Sequence, residues 1–261
     1  MNRDHDLPAA HRTAHSIVVL TGAGVSAESG VPTFRDALAG LWAKFDPQQL
    51  ATPEAFARDP ALVSRWYDER RCNVARCKPN AGHVALAELQ RRVVAEGRTF
   101  TLITQNVDRL HQAAGSTDVI ELHGTLWVWR CIRCGRESEE RGPAFDTYPV
   151  NCACGAPKRP GVVWFGEELP AEAFRLAHDA ASRADLFFSI GTSSVVYPAA
   201  GLIDVTLDNG ARLIEVNTDD TPYTDRAHWA LRGTSGEVLP RLLEALRADS
   251  GEGVSPSRGR P

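Results

Sequence analysis

The stretch SIVVLTGAG, residues 16–24, runs an uninterrupted apolar segment straight into a Gly-Ala-Gly turn. An apolar run with no polar side has to be buried on both faces, as the central strands of a parallel sheet are. Three later runs repeat the pattern: TFTLIT ending near Thr104, DLFFSI before Gly191, and RLIEVN before Thr218, with AHWALRG as a fifth candidate. Between them lie helical patterns, NAGHVALAELQRRVVAEG (80–97) and AEAFRLAHDAASRA (171–184). Strands alternating with helices predict an α/β fold, a parallel sheet with helices on both faces. Ligands of such sheets bind at the carboxyl ends of the strands. Here those ends read TGAG, TQNVD, GTSS and VNTDD, all small or polar.

Two stretches interrupt the alternation. Residues 36–79 carry no strong strand pattern and look helical; Asp59 and Pro60 are placed as the N-cap and first position of a helix. Residues 126–165 are rich in Cys, Gly and Pro. Both are expected to be insertions that form a smaller domain over the crevice. The large part is then about 15–35, 80–125 and 166–248.

Gly22-Ala23-Gly24-Val25-Ser26-Ala27 is a G-x-G-x-x-A turn directly after a strand. Such glycines permit close backbone approach to a pyrophosphate, and the following helix start offers N–H groups to it. The competing reading is a plain helix-capping turn. No second strand ends in an acidic residue about twenty positions on, so this is not a simple dehydrogenase half. Phe34 and Arg35 follow instead, on a loop placed to close over a cofactor.

Of six cysteines, four form the pairs Cys131-x-x-Cys134 and Cys152-x-Cys154. Four thiolates in two turns suit one tetrahedral zinc and a reducing compartment better than a disulfide framework. His123 stands eight positions before Cys131, yet four sulfurs already close a structural site. Cys72 and Cys77 are expected to be ordinary helix residues. In RWYDERR (65–71), Tyr67 and Arg70 are three apart and share a helix face. A phenol and a guanidinium there make a carboxylate clamp; on spacing alone, an ordinary amphipathic surface helix competes with it.

The chain of 261 residues has a net charge of −4, which supplies no broad field for nucleic acid. Its apolar runs are too short to span a bilayer. The N-terminus lacks the apolar core of a signal peptide. Residues 1–14 are expected to be a flexible lead-in and 249–261 a disordered tail. The setting expected is cytoplasmic, and the chain monomeric.

The motifs TGAGVSAESGVPTFRD, TQNVDRLHQAAG, ELHGTL, the four cysteines, RPGVVWFGE, GTSSVVYPAA and EVNTDDTP occur in order over about residues 16–240. Together they resemble the sirtuins, the NAD-dependent protein-lysine deacylases. The resemblance implies a Rossmann-like large domain, a small domain of a helical and a zinc module, and a cleft for NAD and an acylated lysine. It implies that His123 is the catalytic base, acting on a ribose hydroxyl after nicotinamide has left. It places Gly22, Ala23, Gly24, Ser26, Phe34, Arg35, Gln105, Asn106, Asp108, Gly191, Thr192, Ser193, Asn217 and Ser235 around the cofactor. Val163, Trp164, Phe165, Gly166 and Glu167 become an edge that pairs with the substrate backbone. Cys131, Cys134, Cys152 and Cys154 hold a structural Zn2+. Ala51, Tyr67 and Arg70 match the sirtuin class that removes succinyl, malonyl or glutaryl groups, with acetyl-lysine processed more weakly. The rivals are a sirtuin acting mainly as an ADP-ribosyltransferase and a non-catalytic NAD- or acyl-lysine-binding module.

Overall fold

The computed structural model describes residues 6–32 and 50–248. Its centre is a six-stranded, wholly parallel sheet of order β3-β2-β1-β7-β8-β9. The strands are β1 (Ser16–Thr21), β2 (Thr99–Thr104), β3 (Ile120–Glu121), β7 (Leu186–Ile190), β8 (Arg212–Asn217) and β9 (Trp229–Arg232). β1 lies between β2 and β7, so the strand order reverses there and a crevice opens at the carboxyl ends. The expected α/β class is the observed one.

Each continuous apolar run feeds two cores because side chains alternate across a strand. Ile17 and Val19 enter one cluster, Val18 and Leu20 the other. Phe188 and Phe187 divide in the same way. On the first face pack α5 (Ala81–Ala95), through Ala85, Leu86, Leu89 and Val93, and α9 (Ser235–Ala248), through Val238, Leu239, Leu243 and Leu246. On the second face lie α7 (Ala171–Ala181) and α8 (Gly201–Asp208). The short α8 was not anticipated: eight residues give little periodicity to read, and its Leu202 and Ile203 declare themselves only once buried.

The lead-in is not wholly flexible. Leu7–Thr13 forms helix α1, and Leu7 and Ala10 are buried in the first core with Ala14. Their three- and four-residue spacing is that of a helix face; the polar composition around them concealed it.

The small domain has two parts. Helices α3 (Pro53–Arg58) and α4 (Pro60–Val74) are capped by Thr52 and Asp59, whose side chains accept from the amides of Ala55 and Leu62 at 3.1 and 2.9 Å. The Asp59–Pro60 start is as expected. The second part is a three-stranded antiparallel sheet, β5-β4-β6, from β4 (Gly124–Cys131), β5 (Glu137–Glu139) and β6 (Lys158–Val162). Both parts share one core, with Trp66, Tyr67 and Val74 against Leu126, Trp129, Val162 and Trp164.

Gly124 is the joint between the two sheets. It has φ +70, and a Cβ there would stand 2.0 Å from the Gly161 carbonyl oxygen on β6. Gly124→Ala is therefore expected to cost about 2 kcal/mol or more and to lower Tm by roughly 5 °C or more. An unchanged thermal melt would show that β4 and β6 separate freely at this point.

Candidate functional site

The floor of the crevice is built from two loops pressed together. The Gly22 amide donates to the Ile190 carbonyl at 3.0 Å and the Gly24 amide to the Gly191 carbonyl at 2.8 Å. A Cβ on Gly22 would meet Thr192 at 2.7 Å, and one on Gly24 would meet the Gly191 oxygen at 2.8 Å. These glycines are thus required by the neighbouring loop, besides any ligand. The expected helix start with free N–H groups is present only in part. α2 (Gly24–Ala27) is one turn, and the amides of Gly22, Gly24, Val25 and Ser26 all donate to carbonyls.

Other residues expected at the cofactor gather around this floor. Gln105 follows β2 directly and donates through its side chain to Thr192 Oγ1 at 3.0 Å. Asn217, at the end of β8, donates to the Thr192 carbonyl at 2.9 Å. Gly191 itself has φ +58, and Ser193 beside Thr192 is half-buried. Ser235 lies farther back: it is buried at the start of α9 and donates to the Val25 carbonyl at 3.3 Å, bracing α2 from behind. Phe34 and Arg35 fall outside the described residues.

Beneath the floor is a closed polar cluster. Ser26 Oγ donates to Asp108 Oδ2 at 2.7 Å and accepts from Asn106 Nδ2 at 3.1 Å. His83 Nε2 lies 3.3 Å from the same oxygen. The Asn80 amide donates to His83 Nδ1 at 3.3 Å, so Nδ1 is an acceptor and Nε2 carries the proton. Asp108 also accepts from the Leu110 amide at 2.8 Å. Burial raises its carboxyl pKa despite these donors. His83 was not picked out from sequence, nor was His111, whose ring centroid lies 4.8 Å from that of His83. Burial pulls their pKa values down to about 4 and about 3, so both are neutral. For His83 a signal existed: Asn80 and His83 form a capping box at the start of α5, which points the imidazole back toward the turn.

His123 stands between β3 and β4. Its Nδ1 lies 3.0 Å from the Gln105 carbonyl oxygen, which can only accept. The proton therefore sits on Nδ1, leaving Nε2 as a free base. Burial lowers its pKa, partly opposed by that hydrogen bond. It takes no part in the cysteine group.

Cys131, Cys134, Cys152 and Cys154 present four sulfurs within 4.8 Å of one another. Two of the separations are 3.4 and 3.7 Å. A tetrahedron of Zn–S bonds of about 2.3 Å has sulfurs about 3.8 Å apart, so the set fits one zinc. The tight Cys-x-Cys pair closes the site as well as a wider pair would. Among the described residues no other such group of His, Cys, Asp and Glu occurs.

Of the residues expected at an acyl pocket, Ala51 and Tyr67 lie in the small-domain core. Ala51, Tyr67 and Trp164 are buried in one cluster. Trp164 lies 6.2 Å from the Tyr67 ring. Arg70 lies one turn from Tyr67 on α4, its guanidinium 5.1 Å from the Trp66 ring centre. Desolvation lowers the Arg70 pKa and raises that of Tyr67. The segment Val163–Glu167 is tied at both sides. The Val163 amide donates to the His123 carbonyl and the Phe165 amide to the Ala51 carbonyl, each at 2.9 Å. Glu167 accepts from the Trp164 amide at 2.9 Å and pairs with Arg159 at 2.5 Å. Gly166 takes φ +86, and Phe165 is left 42% exposed. A further exposed apolar strip, Val195, Val196 and Tyr197, follows the Gly191–Ser193 loop and was not singled out from sequence.

Comparison with known proteins agrees over nearly the whole chain. The profile of the Sir2 family matches residues 22–198. A protein named NAD-dependent protein deacylase from Methylococcus capsulatus is 49% identical over 257 residues, covering 95% of this chain and 98% of its own length. NAD-dependent protein deacylase 2 of Pyrobaculum aerophilum is 50% identical over 230 residues, covering 88% and 90%. The crystal structure of a Sir2 homolog–NAD complex superposes with a TM-score of 0.88 at 46% identity, covering 94% of each chain. A Sir2 variant bound to a deacetylated p53 peptide and 3′-O-acetyl ADP ribose gives 0.80 at 34% identity, covering 92% of this chain and 97% of that one. With the parallel sheet, the glycine turn and the four-cysteine knuckle in place, the chain belongs to the Sir2 family.

Proposed function

We propose that this protein is an NAD-dependent protein-lysine deacylase that removes succinyl and malonyl groups, and acetyl groups more weakly. The observation that carries the reading is the position of His123. Its ring is fixed by Gln105, whose side chain reaches the Thr192 loop, and its carbonyl holds Val163 at the edge of the acyl pocket. One residue thus joins the crevice of the sheet to the small-domain pocket. Relatives about 50% identical to this chain carry the name NAD-dependent protein deacylase.

NAD, when bound, supplies the ribose carbon that takes up the acyl oxygen, with nicotinamide as leaving group. The protein's own contribution is positional and acid–base. The β1 and β7 loops, with Gly22, Ala23, Gly24, Gly191, Thr192 and Ser193, would line the phosphates, and Asn217 would lie at the adenosine ribose. Gln105, Asn106 and Asp108 would line the nicotinamide and ribose end, with Ser26 fixing Asn106 and Asp108 through hydrogen bonds. His123 Nε2 takes a proton from a ribose hydroxyl, which its tautomer leaves it free to do. Val163–Glu167 pairs with the substrate backbone. The four cysteines would hold a zinc that ties the end of β4 to the turn at Cys152–Cys154 before β6. Among the described residues no helix is long and apolar enough to cross a membrane.

The acyl preference rests on Tyr67 and Arg70. A terminal carboxylate reaching them gains two guanidinium donors and a phenol, worth about 1.5–3 kcal/mol for charge-assisted bonds. The small Ala51 leaves room for the longer chain, and acetyl reaches neither group.

Four outcomes are expected. His123→Ala lowers nicotinamide-coupled deacylation by about 10²-fold or more with the circular dichroism unchanged. In the wild type the acid limb of the turnover rate lies at lower pH than an exposed histidine would give, because burial disfavours the imidazolium. Near-normal turnover of the variant would refute the base assignment. Arg70→Met lowers kcat/KM for succinyl-lysine by about tenfold or more and for acetyl-lysine far less; equal losses would refute the clamp. Elemental analysis gives one zinc per chain, and Cys131→Ser loses it together with several degrees of Tm; a metal-free chain of wild-type stability would refute the structural zinc.

A further inference from the structure

The helix that carries Tyr67 and Arg70 also carries a buried ion pair that the proposed reaction does not use. Asp68 and Arg71 both have fully buried side chains, 0% exposed, and Arg71 Nη2 lies 2.7 Å from Asp68 Oδ1. Arg71 Nε donates to the same oxygen at 2.8 Å. Three further contacts leave the helix. Arg71 Nη1 reaches the carbonyls of Glu140 at 3.0 Å and Gly142 at 2.7 Å, and Nη2 that of Pro143 at 2.7 Å. Asp68 Oδ2 accepts from the Phe145 amide at 2.9 Å and the Tyr148 hydroxyl at 2.6 Å. All five of these partners belong to one segment, 140–148, between β5 and Cys152 of the zinc module.

A buried ion pair contributes little net stability over apolar residues of the same size. What it does supply is direction, since each charge-assisted bond has its own angle and length. Asp68 adjoins Tyr67 and Arg71 adjoins Arg70, so the two pairs occupy neighbouring stripes about 100° apart on α4. Any rotation of α4 that relaxed the contacts to 140–148 would swing Tyr67 and Arg70 by the same angle. The guanidinium of Arg71 lies 5.1 Å from the Phe145 ring centre, and Phe145 packs edge-on against Trp129 of β4 at 5.0 Å. β4 starts one residue after His123 and ends at Cys131.

We infer that Asp68 and Arg71 are positioning residues for acyl selectivity: they lock the rotation of α4 to the zinc-module segment 140–148 and so set Tyr67 and Arg70 at the depth of a terminal carboxylate. This rests on the reading of Tyr67 and Arg70 as the acyl clamp. The pair touches no reacting atom. Its effect falls on KM for dicarboxylic acyl groups, which must reach both side chains, and not on acetyl groups, which end short of them.

The test uses the zinc-loaded full chain and one peptide bearing succinyl- or acetyl-lysine. Arg71→Lys keeps the charge and loses the fork; Tyr148→Phe deletes one hydroxyl outside α4; Arg70→Met is measured alongside. Expected are a rise in succinyl KM of about tenfold for Arg71→Lys and a few-fold for Tyr148→Phe, with kcat and acetyl KM changed less than about twofold and one zinc retained per chain. Equal changes for both acyl groups, or none, would overturn the inference, and if Arg71→Lys does not fold, Tyr148→Phe decides alone. If Arg70→Met shifts the succinyl-to-acetyl ratio and the other two do not, the clamp stands and the positioning role is refuted. If Arg70→Met leaves the ratio unchanged, the clamp itself is wrong and the inference goes with it.

Discussion

The site depends on a backbone contact between two loops at the centre of the sheet. The Gly22–Gly24 turn lies so close to Gly191–Thr192 that neither glycine has room for a methyl group. Hydrogen bonds from Gly22 and Gly24 to Ile190 and Gly191 extend the β1–β7 pairing beyond the strands. The strand order reverses at this point, so the two loops form one floor where they would otherwise diverge. Gln105 and Asn217 then both attach to Thr192, from β2 and β8. Four strand ends are thereby brought to one place.

Behind this floor the protein keeps polar groups away from water and pairs Ser26, Asn106, Asp108 and His83 with one another, while His111 Nδ1 has no hydrogen-bond partner among the described residues. Ser26 is the hub: one hydroxyl serves Asp108, Asn106 and His83. Such a network is worth keeping only if every member is paired, because an unpaired buried group costs 1–3 kcal/mol or more. Burial holds His83 and His111 neutral, which removes two positive charges that would otherwise draw on Asp108. The consequence for chemistry is a fixed hydrogen-bond pattern at the Asn106–Asp108 turn, set before any ligand arrives.

The small domain is attached to the large one by continuity as well as by packing. β4 leaves the sheet one residue after His123, and Gly124 makes that turn with a positive φ. The segment after β6 returns to His123 through Val163 and to Ala51 through Phe165. His123, the Val163–Phe165 segment and Ala51 therefore share backbone hydrogen bonds, so movement of one is felt by the others.

The sequence by itself determined the sheet, the glycine turn, the cysteine knuckle and the capped start of α4. Continuous apolar runs have only one physical solution, burial on both faces, and Asp59-Pro60 and Cys-x-x-Cys act over a few residues. It also brought Tyr67 and Arg70 onto one face, since helical spacing is local. Only the tertiary structure decided the rest. Leu7 and Ala10 form a helix because a core exists to cover them, and their own short segment does not announce it. The amides of Gly22 and Gly24 are spent on a loop some 170 positions away, which no local pattern encodes. Asp68 and Arg71 have the spacing of any solvated i, i+3 pair; their burial comes from carbonyls seventy residues on. The tautomer of His123 follows from the Gln105 carbonyl, a group every residue possesses and no sequence can point in a direction.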